Sequence, residues 1–273
     1  MLRDEQLRRG PERRSRPSRR DQRGACLFKV GWAILRPRPV CYHYEMKSLN
    51  IKALSALLLL SFAMAGLLFL PAWTVNYWQA WVFLSVFFGS SLAITLYLMK
   101  KDPKLLERRM SAGPGAEKEK SQKIIMSLAS AGFVALMVFP VLDHRFAWSP
   151  VPPYLALAGD VLVALGYLAI FFVFKENTFT SATIEVDPEQ KVISAGPYAL
   201  VRHPMYAGSI VMLIGIPPAL PALGSWWGLF IIILMMPALI CRLVDEERFL
   251  AKNLPGYVEY KNKVKYRLVP FVW

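Results

Sequence analysis

Six apolar runs separated by polar connections organise this 273-residue chain. They fall at about 53–72, 78–99, 124–142, 154–174, 205–223 and 226–244, each close to the ~20 residues that carry a helix across a bilayer. The connection between the first two is short and predicts a tight antiparallel hairpin. Pro217, Pro218 and Pro221 predict an irregular far end for the fifth run. Trp73, Tyr77, Trp78, Trp81, Trp148, Trp226 and Trp227 stand at run ends, as an interfacial aromatic belt would. The pattern predicts an all-α fold, a polytopic integral membrane bundle of about six transmembrane helices.

Composition agrees: 55% of residues are hydrophobic and the mean hydropathy is +0.35. The net charge of +14 brackets the apolar runs instead of forming a basic face on a folded domain, which excludes a nucleic-acid partner and points to the lipid bilayer. The N-terminal tail, the 100–123 loop, the 175–204 connection and the C-terminal tail are basic, whereas 73–77, 143–153 and 224–225 hold only Arg145. By the positive-inside rule both termini and the polar clusters are expected in the cytoplasm. Residues 1–45 are Arg-rich, contain Pro11, Pro17, Pro37 and Pro39, and lack a periodic apolar face. They are expected to be a mostly disordered, dispensable extension, with the membrane domain occupying 46–273. A secretory signal is not expected, because no apolar core there precedes a small-residue cleavage site.

Polar chemistry gathers in two places. Gly196–Gly208 packs Tyr198, Arg202, His203 and Tyr206 between Pro197 and Pro204, at the mouth of the fifth run. Pro204 suits the first turn of a helix, so Arg202 and His203 stand at its N-terminal entrance, where an anionic group is favoured. The preceding connection, 175–204, is polar with β-branched stretches and predicts a short ordered loop or β-like excursion. The second cluster continues the last run as a helix through Arg242, Asp245, Glu246 and Glu247. Arg242 and Glu246 are four apart and share a face, while Asp245 and Glu247 point elsewhere; a helical ion pair with a solvated acidic face is the plainer reading. After Pro255, mixed basic and aromatic residues predict an amphipathic segment on the cytoplasmic surface. Cys26, Cys41 and Cys241 are odd in number and unspaced for metal, and of three histidines only His203 has polar company, so neither a disulfide nor a metal site is expected.

The run Gly-Pro-Tyr198-Ala-Leu-Val-Arg202-His203-Pro204-Met205-Tyr206-Ala-Gly208 resembles the signature of isoprenylcysteine carboxyl methyltransferases and related phospholipid methyltransferases. The stretch from Arg242 to Glu247 and Leu254-Pro-Gly-Tyr-Val-Glu-Tyr260 resemble the same family's ending, and the likeness covers 176–273. It implies S-adenosylmethionine as cofactor, contacted by Gln190, Lys191, Val192 and Ile193, by Tyr198, by His203, Pro204, Met205 and Tyr206, and by Glu246. It implies Arg242 as the substrate-facing residue, with Arg242 and Glu246 at the catalytic centre on the cytoplasmic side. The acceptor is expected to be a lipophilic small molecule or prenylated chain, methylated on a carboxylate. Met205 stands where eukaryotic members acting on prenylated proteins carry Ser, which sets this chain apart from them.

The residues themselves suit that chemistry. A methyl donor bearing a sulfonium, an ammonium and a carboxylate needs both signs of charge and apolar walls. A carboxylate acceptor is already ionised and needs no general base, whereas an amine would need Glu246 to take its proton. Two other readings stand beside this one. Membrane sterol and steroid reductases resemble the C-terminal helices as well and would bring a nicotinamide cofactor, and a non-catalytic membrane protein would bind neither.

Overall fold

The computed structural model describes the backbone of residues 39–148, 151–220 and 227–273, with side chains from 46 onward in the first segment and from 228 onward in the last. Residues 1–48 form a unit of their own, and 49–273 form the second. Most of the extension expected over 1–45 lies outside the described residues. Pro39 to Glu45 correct that expectation, because they already belong to the first helix: Pro39 occupies its first position, where no N–H is needed.

That helix, α1 (Pro39–Ala72), is followed by α2 (Trp78–Lys101), α3 (Pro103–Met110), α4 (Lys120–Phe146), α5 (Pro153–Glu176), α6 (Pro204–Ala219), α7 (Trp227–Asn253) and α8 (Tyr257–Lys263). Among the described residues no strand occurs, so the 175–204 connection is an irregular loop closed by a single 3-10 turn at Gly196–Ala199. Among the described residues five helices are long and apolar enough to cross a membrane, making the protein an integral multi-pass chain. α6, the fifth of the expected spans, is shorter, with Pro217 and Pro218 in its closing turn. The irregularity expected at Pro221 lies outside the described residues, as does Trp226.

Trp73, Trp78, Trp81 and Trp148 are exposed, as a belt requires. Tyr77 is not: it is buried and stacks on the His144 ring at 3.9 Å, pinning the α1–α2 turn to the end of α4. The most populous apolar cluster runs from Met64 and Leu68 on α1, through Phe83 and Phe87 on α2 and Met137 on α4, to Ile216 on α6 and Ile232 on α7.

The most extensive helix pairing is α5 with α6, and glycines make it possible. A Cβ on Gly166 would stand 2.7 Å from the Gly208 carbonyl, and one on Gly215 would stand 2.6 Å from the Gly159 carbonyl. Between lipid-embedded helices no hydrophobic gain accompanies association, so close backbone approach supplies the dispersion contact instead. This seam holds α6 upright, with its polar entrance at the end where α7 and the tail meet.

Candidate active site

The entrance to α6 is built around a buried carboxylate. Glu247 is 3% exposed and takes hydrogen bonds from Arg202 Nε at 2.7 Å and Arg267 Nε at 3.1 Å, with His203 Nε2 at 3.4 Å. Arg202 donates further to the carbonyls of Val264 (3.0 Å) and Lys265 (3.1 Å). The backbone N–H groups of Arg202 and His203 donate to the carbonyls of Tyr266 and Arg267, each at 2.9 Å. This corrects two expectations. Glu247 does not sit on a solvated acidic face, and the amphipathic tail turns its apolar face to the protein itself: Tyr257, Tyr260, Val264 and Leu268 are buried, while Val258, Val269 and Phe271 are exposed. The tail folds back because its carbonyls satisfy donors that precede α6 and have no helical partner of their own. A sequence signal for Glu247 exists. It lies four residues after Leu243, three before Leu250 and seven before Leu254, inside the buried stripe of α7.

Beside this knot lies a cavity of about 310 Å³, within the range of small-molecule sites. Gln190, Lys191, Val192, Ile193 and Tyr198 line one side of it. His203, Pro204, Met205 and Tyr206 come from the entrance of α6, and Arg242 and Glu246 from α7. Every residue singled out by the sequence is therefore brought to one space, although Lys191 is exposed and His203 is engaged with Glu247.

One stripe of α7 and the residue just past its end line this cavity: Ala238, Arg242, Glu246 and Leu250 recur every four residues, and Leu254 follows in the turn after Asn253. At 1.5 Å per residue the helical part, Ala238 to Leu250, covers about 18 Å. It reads apolar, cationic, anionic, apolar. At its first end the cavity is walled by Ile125, Met126 and Ala129 of α4. At the other, Val192 and Tyr198 join Leu250, Leu254, Tyr257 and Tyr260 in an apolar and aromatic cluster.

The charges between these ends are arranged unequally. Arg242 pairs with Glu117 at 2.7 Å and donates to Gln122 Oε1 at 3.1 Å and to the Ala182 carbonyl at 2.9 Å. Gln122 in turn donates to Asp245 at 2.8 Å, so Asp245 is tied into the same network. The alternative of an Arg242–Glu246 ion pair is thereby corrected, because Arg242 is turned toward the loop before α4. Glu246 instead accepts a hydrogen bond from the Tyr206 hydroxyl at 2.6 Å. Tyr198 accepts from Asn177 at 3.0 Å, and burial pushes its hydroxyl pKa up, so it remains a neutral donor.

Three polar residues of this region escaped the sequence reading, and a fourth was seen without its partner. Glu117, Gln122 and Arg109 sit in or beside the 100–123 loop, where charged residues read as topology determinants and nothing in their spacing signals a cavity. Arg202 was visible in the motif, but its burial depends on Glu247 and the tail.

Residues 155–255 match the phospholipid methyltransferase family, which includes the isoprenylcysteine carboxyl methyltransferases. The matched segment contains nearly all of α5, the 177–203 loop, α6 and the whole of α7, hence most of the cavity wall. The chain is 25% identical over 105 residues to the cobalt-zinc-cadmium resistance protein CzcN of Cupriavidus metallidurans, covering 38% of this chain and 48% of that protein. It is also 25% identical over 185 residues to the Delta(14)-sterol reductase TM7SF2 of Mus musculus, covering 57% of this chain and 43% of the relative. The chain spans less than half the length of each of these curated relatives.

Proposed function

We propose that the cavity is the site of S-adenosylmethionine-dependent methyl transfer to a carboxylate on a lipophilic acceptor, at the cytoplasmic side of the membrane. The order of residues along the α7 stripe carries the reading. The family match at 155–255 supports methyl transfer as the reaction class.

The residues present fit such a donor. The Leu250–Leu254 end, with Tyr198, Tyr257 and Tyr260, offers aromatic and apolar walls for an adenosyl group. Gln190 to Ile193 border it through an irregular segment whose backbone would meet the purine and ribose edges. Glu246, set by Tyr206, would face the donor's cationic part, while His203, Pro204 and Met205 close the wall at the α6 entrance. When bound, S-adenosylmethionine supplies a methyl carbon on a sulfonium: a carboxylate oxygen forms the new O–C bond as the C–S bond breaks, its electron pair staying on sulfur, so a methyl ester and a neutral thioether result and no proton moves. Arg242 would orient the acceptor carboxylate. Its charge is already shared with Glu117, which leaves the attacking oxygen electron-rich. The apolar α4–α7 end, with Ile125, Met126, Ala129 and Ala238, would take the acceptor's hydrocarbon, and enclosure excludes water from the reacting atoms.

A second reading has one specific observation behind it, the similarity to a protein named as a sterol reductase. A single calorimetric experiment in detergent separates the two. The protein is expected to bind S-adenosylhomocysteine and not NADPH. Glu246→Gln should weaken that binding about five- to a hundredfold, the effect of losing one charge-assisted hydrogen-bonding group. Arg242→Lys should leave it within a few fold while lowering turnover, because the forked guanidinium geometry is lost. Binding of NADPH with no binding of S-adenosylhomocysteine would overturn the methyltransferase reading.

A further inference from the structure

Among the described residues, one guanidinium lining the cavity has no carboxylate to neutralise it. Of the guanidiniums lining it, Arg202 is paired with Glu247 and Arg242 with Glu117. Arg109, in the last turn of α3, has no carboxylate within ion-pair distance among the described residues. It donates through Nη1 to the Ser181 carbonyl at 3.0 Å, lies 3.7 Å from Met205 Sδ, and stands 5.2 Å from the Phe174 ring centroid. These contacts aim the group without matching its charge. Burial pushes its pKa down, the Tyr206 hydroxyl acts the other way, and the positive charge of Arg242 adds to the lowering, which places the two guanidiniums in one electrostatic neighbourhood. A guanidinium does not escape this by losing its proton. Arg109 and Arg242 hold the adjacent carbonyls of Ser181 and Ala182, and among the described residues only Arg242 of the two has a carboxylate at ion-pair distance, Glu117, so Arg109 leaves a place for one anion.

We propose that Arg109 is the acceptor-selecting residue of this site, receiving with Arg242 the carboxylate of an apolar acid and thereby excluding neutral and amine-bearing lipids. The inference rests on the methyltransferase reading above and deepens it. Arg109 lies outside the matched segment 155–255, on the helix that precedes Glu117 and α4. Acceptor preference is thus set by the 100–123 loop, and donor binding by the segment that follows. The cationic pair leaves Glu246 as the cavity's unmatched anion among the described residues, on the donor's side. The two unmatched charges therefore suit a cationic donor and an anionic acceptor.

The test uses the full chain in detergent, saturated with S-adenosylhomocysteine, titrated with decanoate and with decanol as its uncharged counterpart. Wild type should bind decanoate about ten- to a hundredfold more tightly than decanol, as a charge-assisted contact gives. Arg109→Gln should remove that preference while S-adenosylhomocysteine affinity stays within about twofold, and Arg109→Lys should keep part of it. Wild type that binds S-adenosylhomocysteine but prefers neither probe would overturn the inference and leave the methyltransferase reading standing, whether or not the variants fold. Retention of the full preference in Arg109→Gln would overturn it as well. Loss of S-adenosylhomocysteine affinity in that variant, with methylthioadenosine affinity unchanged, would assign Arg109 to the donor's own carboxylate instead. Failure of wild type to bind S-adenosylhomocysteine would remove the premise along with the inference.

Discussion

The two ends of α6 are held in opposite ways. Its membrane half carries Gly208 and Gly215, which lie against Gly166 and Gly159 of α5 with backbone on backbone and no polar side chain between them. Its entrance carries Arg202 and His203, which are held by a buried carboxylate and by the carbonyls of the folded-back tail. One end is specified by the absence of side chains, the other by saturation of charge. The difference follows the surroundings. Within the bilayer, shape is the available source of helix specificity. At the polar boundary a buried guanidinium is tolerated only with its partners in place, and those partners are what define the cavity wall.

Breaking the charged end should therefore cost the most. Glu247→Ala leaves Arg202, with a side chain 5% exposed, without a counter-charge and frees Arg267 as well. Removing one member of a buried pair typically costs about 3–5 kcal/mol. The expected outcome is a large fall in thermal midpoint in detergent together with loss of S-adenosylhomocysteine binding, since the tail would no longer cover the cavity. A midpoint near that of wild type would mean the knot is not structural. Gly215→Val tests the other end. Its Cβ would meet the Gly159 carbonyl at 2.6 Å and the Val163 nitrogen at 2.9 Å, both main-chain atoms that cannot rotate aside. Overpacking of this kind costs about 1–3 kcal/mol. Here the midpoint should drop by less than for Glu247→Ala, and donor affinity should survive, because Gly215 lies more than a turn of α6 beyond Ser209, the last residue of that helix to line the cavity.

The same contrast explains what the sequence revealed. The membrane helices were legible because length and hydropathy alone decide them, and the His203-Pro204 entrance because proline has few places to stand. The cavity residues of the motif were legible through chemistry concentrated in a short stretch. Pairings were not. Arg242 has Glu246 one turn away in sequence, yet it turns to Glu117, in the stretch between Met110 and Lys120, and to Gln122 in the first turn of α4, and no periodicity fixes the path between α3 and α4. Tyr77 read as a belt residue because its ring can face lipid or protein equally well, and only the position of His144 decides. The tail read as amphipathic because the donors it satisfies, the Arg202 and His203 N–H groups, lie some 64 residues earlier.

The smallest effect is expected from an ion pair chemically like Arg202–Glu247 but placed near water. Arg108 donates to Asp187 at 2.7 Å and to the Thr178 carbonyl at 2.7 Å, clipping the loop that leads into Gln190 to Ile193. Asp187 also accepts from the Glu189 N–H at 2.9 Å. That hydrogen bond first, and then Arg108, hold its carboxyl pKa below the usual value. A lowered folded-state pKa means that the contribution is complete above the unfolded value of ~3.9 and is lost as pH falls through the lower folded one. Exposed pairs contribute little to stability, so Asp187→Asn should leave the thermal midpoint almost unchanged. Because the loop borders the donor end of the cavity, S-adenosylhomocysteine affinity at pH 7 should weaken by about two- to fivefold. The gap between wild type and variant should narrow only as pH falls through that lowered folded-state pKa, below ~3.9, where Asp187 becomes uncharged as the variant already is. A drop in midpoint as large as that of Glu247→Ala would show that the loop, rather than the buried knot, holds the polar end together. A gap that persists undiminished in acid would show that the Asp187 charge plays no part in ordering it.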